Sequence, residues 1–120
     1  MWLVDGMNVI GSRPDGWWRD RRGAMRRLID ELEALAAVTG DEVAVVFDGR
    51  PFELDGGGRV EVGFAPGGPN AADHAIAEWV EAEPDPATLT VVSSDGELVA
   101  RVRAAGADVV AAGAFRQRID

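Results

Sequence analysis

Four aspartates carry the chemistry that this chain offers. Asp5 ends the apolar run WLVD, Asp48 ends VVFD, and Asp95 follows VVSS. Asp73 sits in NAADHAI, within the first turn of the segment that Asn70 opens. Carboxylates brought together without a lysine or several histidines repel one another, which raises their pKa values unless a cation neutralises them. An all-oxygen donor set suits a hard divalent ion, Mg²⁺ or Mn²⁺. Taken singly, each of these acids reads more simply as turn or cap chemistry. Asp-Gly occurs five times in the chain and is an ordinary turn dipeptide, while an acid near a helix start favours the helix dipole. The joint pattern is harder to reduce to turns, because Asp15 and Asp55 fall in loops whereas Asp5, Asp48 and Asp95 each follow a strongly apolar run.

The elements that must position these acids alternate along the chain. Residues 2–5 read as a short buried strand, and residues 19–38 as an amphipathic helix with Met25, Leu28, Ile29, Leu32 and Leu35 on one face and Gly40 as its stop. VAVVFD (43–48) is a continuous β-branched run, and RVEVGF (59–64) alternates with period two. APGGP (65–69) is a loop, after which Asn70 is expected to cap a helix that runs to about Glu83 and ends at Pro84. LTVVSS (89–94) is a further strand. Ser94 and Glu97 form a capping-box pattern at the start of a helix stopped by Gly106, and ADVVAA (107–112) reads as the last strand.

This alternation argues for an α/β class chain, a three-layer α/β/α sandwich around a mostly parallel sheet. Strands buried on both faces are continuously apolar, so 2–5, 43–48 and 89–93 belong in the centre and 59–64 at an edge. The order 3-2-1-4-5 satisfies this and places a topological switch between the first and fourth strands, where ligands bind at the carboxyl ends. Adjacent parallel strands lie about 4.8 Å apart, so Asp5, Asp48 and Asp95 converge on one edge and Asp73 reaches the same rim.

Composition excludes several alternatives. With 120 residues, 47% of them hydrophobic, the chain fits one domain spanning 1–120. It has no cysteine and one histidine, which removes thiol nucleophiles and the usual transition-metal sites. It also has no lysine, so no phosphate-binding loop ending in Gly-Lys exists, and DGGGR (55–59) joins two strands and opens no helix. No nucleotide cofactor is expected. No run is long enough to span a membrane and no basic leader precedes the first strand, so a soluble, cytoplasmic protein is the simplest expectation. An aspartyl phosphohydrolase would need Asp-x-Asp after the first strand, whereas Asp5 is followed by Gly6 and Met7.

Charge is unevenly placed. The net charge is −9, yet residues 12–27 carry +4, with Arg13, Arg19, Arg21, Arg22, Arg26 and Arg27 in that stretch. An acidic protein does not coat nucleic acid by bulk electrostatics. A local arginine cluster can be a solvated helix face, or it can contact phosphates through its bidentate forks. Trp17 and Trp18 beside it either close a loop over the core or stack on unpaired bases.

The ordered segments VDGMNVI, VVFDG, NAADHAI and VVSSDGELVARVRAAGADVV resemble the NYN domain, in particular the YacP-like branch of the PIN-like nuclease superfamily, over nearly the whole chain. The resemblance implies a PIN-like fold and a metal-dependent endoribonuclease acting on single-stranded RNA, free or on the ribosome. It maps the acidic site onto Asp5, Asp48, Asp73 and Asp95, with Asn8 and Ser94 beside it. Asp5 and Asp95 are the first choices as direct ligands, with Asp73 direct or water-bridged and Asp48 a ligand or an orienting group. Substrate contacts are assigned to Asn8, Ser94, Arg21, Arg22, Trp17 and Trp18, although a structural bond for Asn8 is an equal reading. His74 stands where a second acid often follows the matched aspartate in this family. A catalytically weak or inactive RNA- or ribosome-binding module of the same fold is the competing reading.

Overall fold

The computed structural model describes residues 1–52, 58–68 and 70–119. Its sheet is built from β1 (Trp2–Asp5), β2 (Val43–Asp48), β3 (Val60–Ala65), β4 (Thr90–Val92) and β5 (Asp108–Val110). All pairings are parallel and the order is β3-β2-β1-β4-β5, the order expected from strand apolarity. Among the described residues, five α-helices flank it: α1 (Gly6–Gly11), α2 (Arg21–Thr39), α3 (Ala71–Ala82), α4 (Gly96–Ala104) and α5 (Ala112–Ile119). Among the described residues no helix is long and apolar enough to cross a membrane.

The period-two alternation of the strands divides the core into two layers. Val4, Val45, Phe47 and Val92 face α1, α2 and α5, where they meet Ile10, Leu28, Leu32 and Phe115. Leu3, Ala44, Val46 and Val91 face the opposite way, against Ile76 and Val80 of α3 and Leu98 and Val102 of α4. Asp5, Asp48 and Ser93 share the parity of the second group. The alternation therefore aims their side chains toward α3 and α4, and each lies just past the last apolar residue of its row.

Several local devices differ from the sequence reading. The long helix begins at Arg21, with Asp20 as its cap: the Asp20 carboxylate accepts from Gly23 N–H at 3.0 Å. The helix ends at Gly40, which adopts the left-handed conformation at φ 74°. The short helix α1 follows β1 with no loop between them. It packs so close to the sheet that a Cβ at Gly6 would collide with the Phe47 ring and the Val45 side chain, which explains the glycine after Asp5. The segment read as a strand over 107–112 divides into β5 and the start of α5. The edge strand β3 is anchored by Glu33 of α2, whose carboxylate accepts from the N–H groups of Arg59 and Val60 at 2.9 to 3.2 Å. Residues 55–57 of the glycine-rich turn and residue 69 of the following loop lie outside the described residues.

Candidate functional site

The site grows from the carboxyl ends of β1, β2 and β4. Asp5 is 3% exposed and Ser93, immediately after β4, is 1% exposed. The Ser93 hydroxyl donates to Asp5 Oδ2 at 2.9 Å and accepts from Asp95 N–H at 3.1 Å, which ties the ends of the two central strands together across the switch point. Asn8 reinforces the same junction from α1, its Oδ1 accepting from Ser94 N–H at 2.8 Å. The Ser94 hydroxyl turns the other way and accepts from Ala112 N–H at 2.9 Å, at the first residue of α5. Asn8 and Ser94 are thus engaged in bonds that hold three segments around the acids.

Two of the aspartates also serve as helix caps. Asp95 Oδ1 accepts from Leu98 N–H at 2.9 Å, so Asp95 itself caps α4, in place of the Ser94–Glu97 capping box expected from sequence. Asn70 has a left-handed backbone at φ 66° and makes no side-chain cap. Asp48 supplies the cap of α3 from the end of β2, its Oδ1 accepting from Ala72 N–H at 2.9 Å. Local spacing favoured Asn70; the tertiary fold brings a charged acceptor to the same donors, where an anion interacts better with the helix N-terminus. In Asp48 and Asp95 these bonds engage one carboxylate oxygen and leave the other available to a ligand.

The four acids act on one another. Burial pushes the Asp5 carboxyl up to about 7, and the Asp73 and Asp48 charges push in the same direction, while the Ser93 hydrogen bond opposes them. Asp73 is raised as well, first by burial and then by the charges of Asp95 and Asp48. Asp5 and Asp73 also share a hydrogen bond, which raises Asp5 and lowers Asp73. Among the described residues, the side chains acting on Asp5 are Ser93, Asp73 and Asp48.

A metal ion fits this donor set by its chemistry, since every first candidate ligand is a carboxylate oxygen. Among the described residues, no three acidic or imidazole groups stand in a ready-made metal cage. Mg²⁺ does not require one: it is commonly held by one or two carboxylates, retained waters and substrate phosphates.

Two cavities border the acids. A groove of about 540 Å³ is lined by Arg21, Arg22, Asp48, Arg50, Phe52 and Phe64, among others. A smaller cleft of about 110 Å³ between α3 and α4 is lined by Asn70, Asp73, His74, Glu97 and Arg101, with Arg101 paired to Glu81 at 2.6 Å. Arg21 and Arg22 therefore stand beside Asp48. Trp17 and Trp18 line neither cavity. Trp17 packs against the core and meets Trp18 edge-on at 5.8 Å, whereas Trp18 is 52% exposed. Sequence reasoning named Ser94 and missed Ser93. The alternation in LTVVSS held the signal, because Ser93 falls on the row of Val91 and faces Asp5.

The buried Asp5, with the half-buried Asp48, Asp73 and Asp95 near it at the switch point of a 3-2-1-4-5 parallel sheet, fits the PIN-like nuclease class. The chain belongs to the YacP-like NYN domain family, whose profile matches residues 2–120. It is similar to two crystal structures of Rae1 (YacP) from Bacillus subtilis. Against the W164L mutant it shows 30% identity and a TM-score of 0.80, covering 98% of this chain and 73% of that one. Against the other Rae1 structure it shows 28% identity and a TM-score of 0.80, covering 99% and 72%. No curated protein matches the chain. Family and structural relatives support an RNA nuclease-type function.

Proposed function

We propose that residues 1–120 form one NYN domain of a cytoplasmic, metal-dependent endoribonuclease, which hydrolyses phosphodiester bonds of single-stranded RNA at the cluster of Asp5, Asp48, Asp73 and Asp95. The observation that carries this reading is the convergence of four aspartates from four separate segments on one edge, with the most buried of them, Asp5, acted on by two other carboxylates. Such an arrangement costs stability when unoccupied and is relieved by a divalent cation.

Asp5 and Asp95 would hold Mg²⁺ or Mn²⁺, with Asp73 direct or through water and Asp48 as ligand or orienting group. The chemistry supplied by the bound ion is a lowered pKa for the attacking water and neutralised charge on the phosphoryl oxygens. The protein's own part is positioning. Ser93 fixes the Asp5 carboxylate through Oδ2, Asp95 is oriented by the α4 backbone, and Asp48 is held by α3. Asp73 and Asp5 are paired by a hydrogen bond, which keeps the two carboxyl groups facing each other.

A second reading, a catalytically weak RNA- or ribosome-binding module, draws on the lack of a ready-made three-ligand cage among the described residues. Incubation of a labelled single-stranded RNA with Mn²⁺, Mg²⁺ or EDTA separates the two. Cleavage with either ion that stops in EDTA supports the nuclease; RNA binding without cleavage under all three conditions supports the module.

A further inference from the structure

The groove beside Asp48 combines features that the acid cluster does not use. Its floor is aromatic: Phe52 meets Phe64 edge-on at 5.5 Å, and Phe64 in turn lies 5.8 Å from the buried Phe47. This chain of rings anchors Phe52 to the core. The guanidinium of Arg22 lies over the Phe52 ring at 4.6 Å, and that of Arg26 at 5.7 Å. Arg21, on the same wall, rests over Trp17 at 5.5 Å. Arg50, exposed just past the end of β2, lines the groove with them. An Arg stacked on an aromatic ring presents its plane as a platform for an unpaired base. Flanking arginines suit phosphate oxygens. Asp48 belongs both to this groove and to the acid cluster, so a chain lying in the groove leads directly to the carboxylates.

We propose that the groove is a nucleotide subsite for single-stranded RNA next to the scissile phosphodiester, with a base stacked on the Arg22–Phe52 pair and the adjoining phosphates gripped by Arg21 and Arg50. The assignment rests on the nuclease reading for its register with the cut, and it moves the aromatic contact from Trp17 and Trp18 to Phe52. The subsite discriminates by base accessibility, because a paired base cannot leave its stack to reach the platform without unpairing. Its volume of about 540 Å³ lies within the range of about 300 to 1,000 Å³ typical of ligand sites.

The test uses a fluorescein-labelled ten-nucleotide RNA carrying one 4-thiouridine, with binding followed by anisotropy in EDTA and photocrosslinks mapped by mass spectrometry. Wild type, Asp5→Asn, Arg50→Ala and Phe52→Leu are compared. Phe52→Leu is expected to weaken binding about tenfold, in the range set by loss of one stacking contact. Arg50→Ala is expected to weaken it and to lower the salt slope by about one. Crosslinks are expected to map to the groove in wild type and Asp5→Asn alike, and duplex RNA is expected to bind more weakly. Unchanged affinity and salt slope in Arg50→Ala, an exposed position that carries the test even if Phe52→Leu fails to fold, would overturn the subsite. Crosslinks mapping outside the groove would overturn it as well. If the wild type binds through the groove but cuts under no metal condition, the subsite stands and the nuclease reading falls. If it cuts RNA while the groove variants retain its affinity, the nuclease reading stands and the subsite falls.

Discussion

The Ser93 hydroxyl donates a 2.9 Å hydrogen bond to the buried Asp5 carboxylate, and this contact links the ends of β4 and β1 where the strand order reverses. It also opposes the effects of burial and neighbouring charge that push Asp5 upward. Replacing Ser93 with alanine removes that opposition and leaves Asp95 N–H without its acceptor. We expect the acid limb of the pH–rate profile to move to higher pH and the turnover to fall by about tenfold. Ser94→Ala, which loses only the bond to Ala112 N–H, is expected to leave the pH profile in place and to cost about 1 kcal/mol of stability, read by urea unfolding.

The metal-free protein is expected to lose stability as pH rises from about 4 to about 7. Asp5 titrates near 7 in the folded state against an ordinary value of 3.8, so between these limits the folded state holds a proton that the unfolded chain has released. Stability then falls with rising pH. The Asp73 shift has the same sign. Integrated over this window the loss is on the order of a few kcal/mol. Thermal unfolding in EDTA across this range checks it; Asp5→Asn is expected to flatten the curve, and Mn²⁺ is expected to restore stability to the wild type at neutral pH.

Asp48 separates cap from charge. Asp48→Asn retains an acceptor for Ala72 N–H, so its melting temperature is expected to stay close to wild type while metal-dependent cleavage falls by about tenfold or more. Asp48→Ala removes the cap too and is expected to cost about 1 kcal/mol in addition. Equal destabilisation by both substitutions would show that the hydrogen bond to α3 does not matter.

Asn8→Ala is expected to destabilise the fold by about 1 to 2 kcal/mol, because Ser94 N–H loses its acceptor at a junction of three segments. Urea unfolding measures the loss. Cleavage of saturating RNA by the folded fraction is expected to fall less than in any aspartate variant.

The central architecture is legible in the sequence because buried parallel strands are continuously apolar. WLV, VAVVF and TVV admit no surface reading, and their shared ends bring Asp5, Asp48 and Asp95 to one edge. The rest depends on partners far along the chain. The six residues GMNVIG carry a glycine at each end and no helical periodicity, so α1 is set by its contact with Phe47 and by the Asn8 bond to Ser94. Asn70 has the composition of a cap, yet Asp48 performs that role from 24 residues away. Ser93 was hidden beside Ser94, since only the sheet register distinguishes the serine that faces the acids from the one that faces α5. The segment AAGAFRQRI starts as a strand continuation by composition and turns into α5 because Ala112 and Phe115 bury against the core of the α2 face.

The most direct measurement is cleavage of a 5′-labelled single-stranded RNA by wild type and Asp5→Asn, purified in parallel and shown to be folded, in Mn²⁺ and in EDTA. The wild type is expected to cleave internally in Mn²⁺ and not in EDTA, and Asp5→Asn to lose at least about 100-fold in rate, more than substitutions of groups that only orient metal ligands produce. Cleavage of equal rate by both proteins, or cleavage that persists in EDTA, would rule out the aspartate cluster as a metal-dependent nuclease centre.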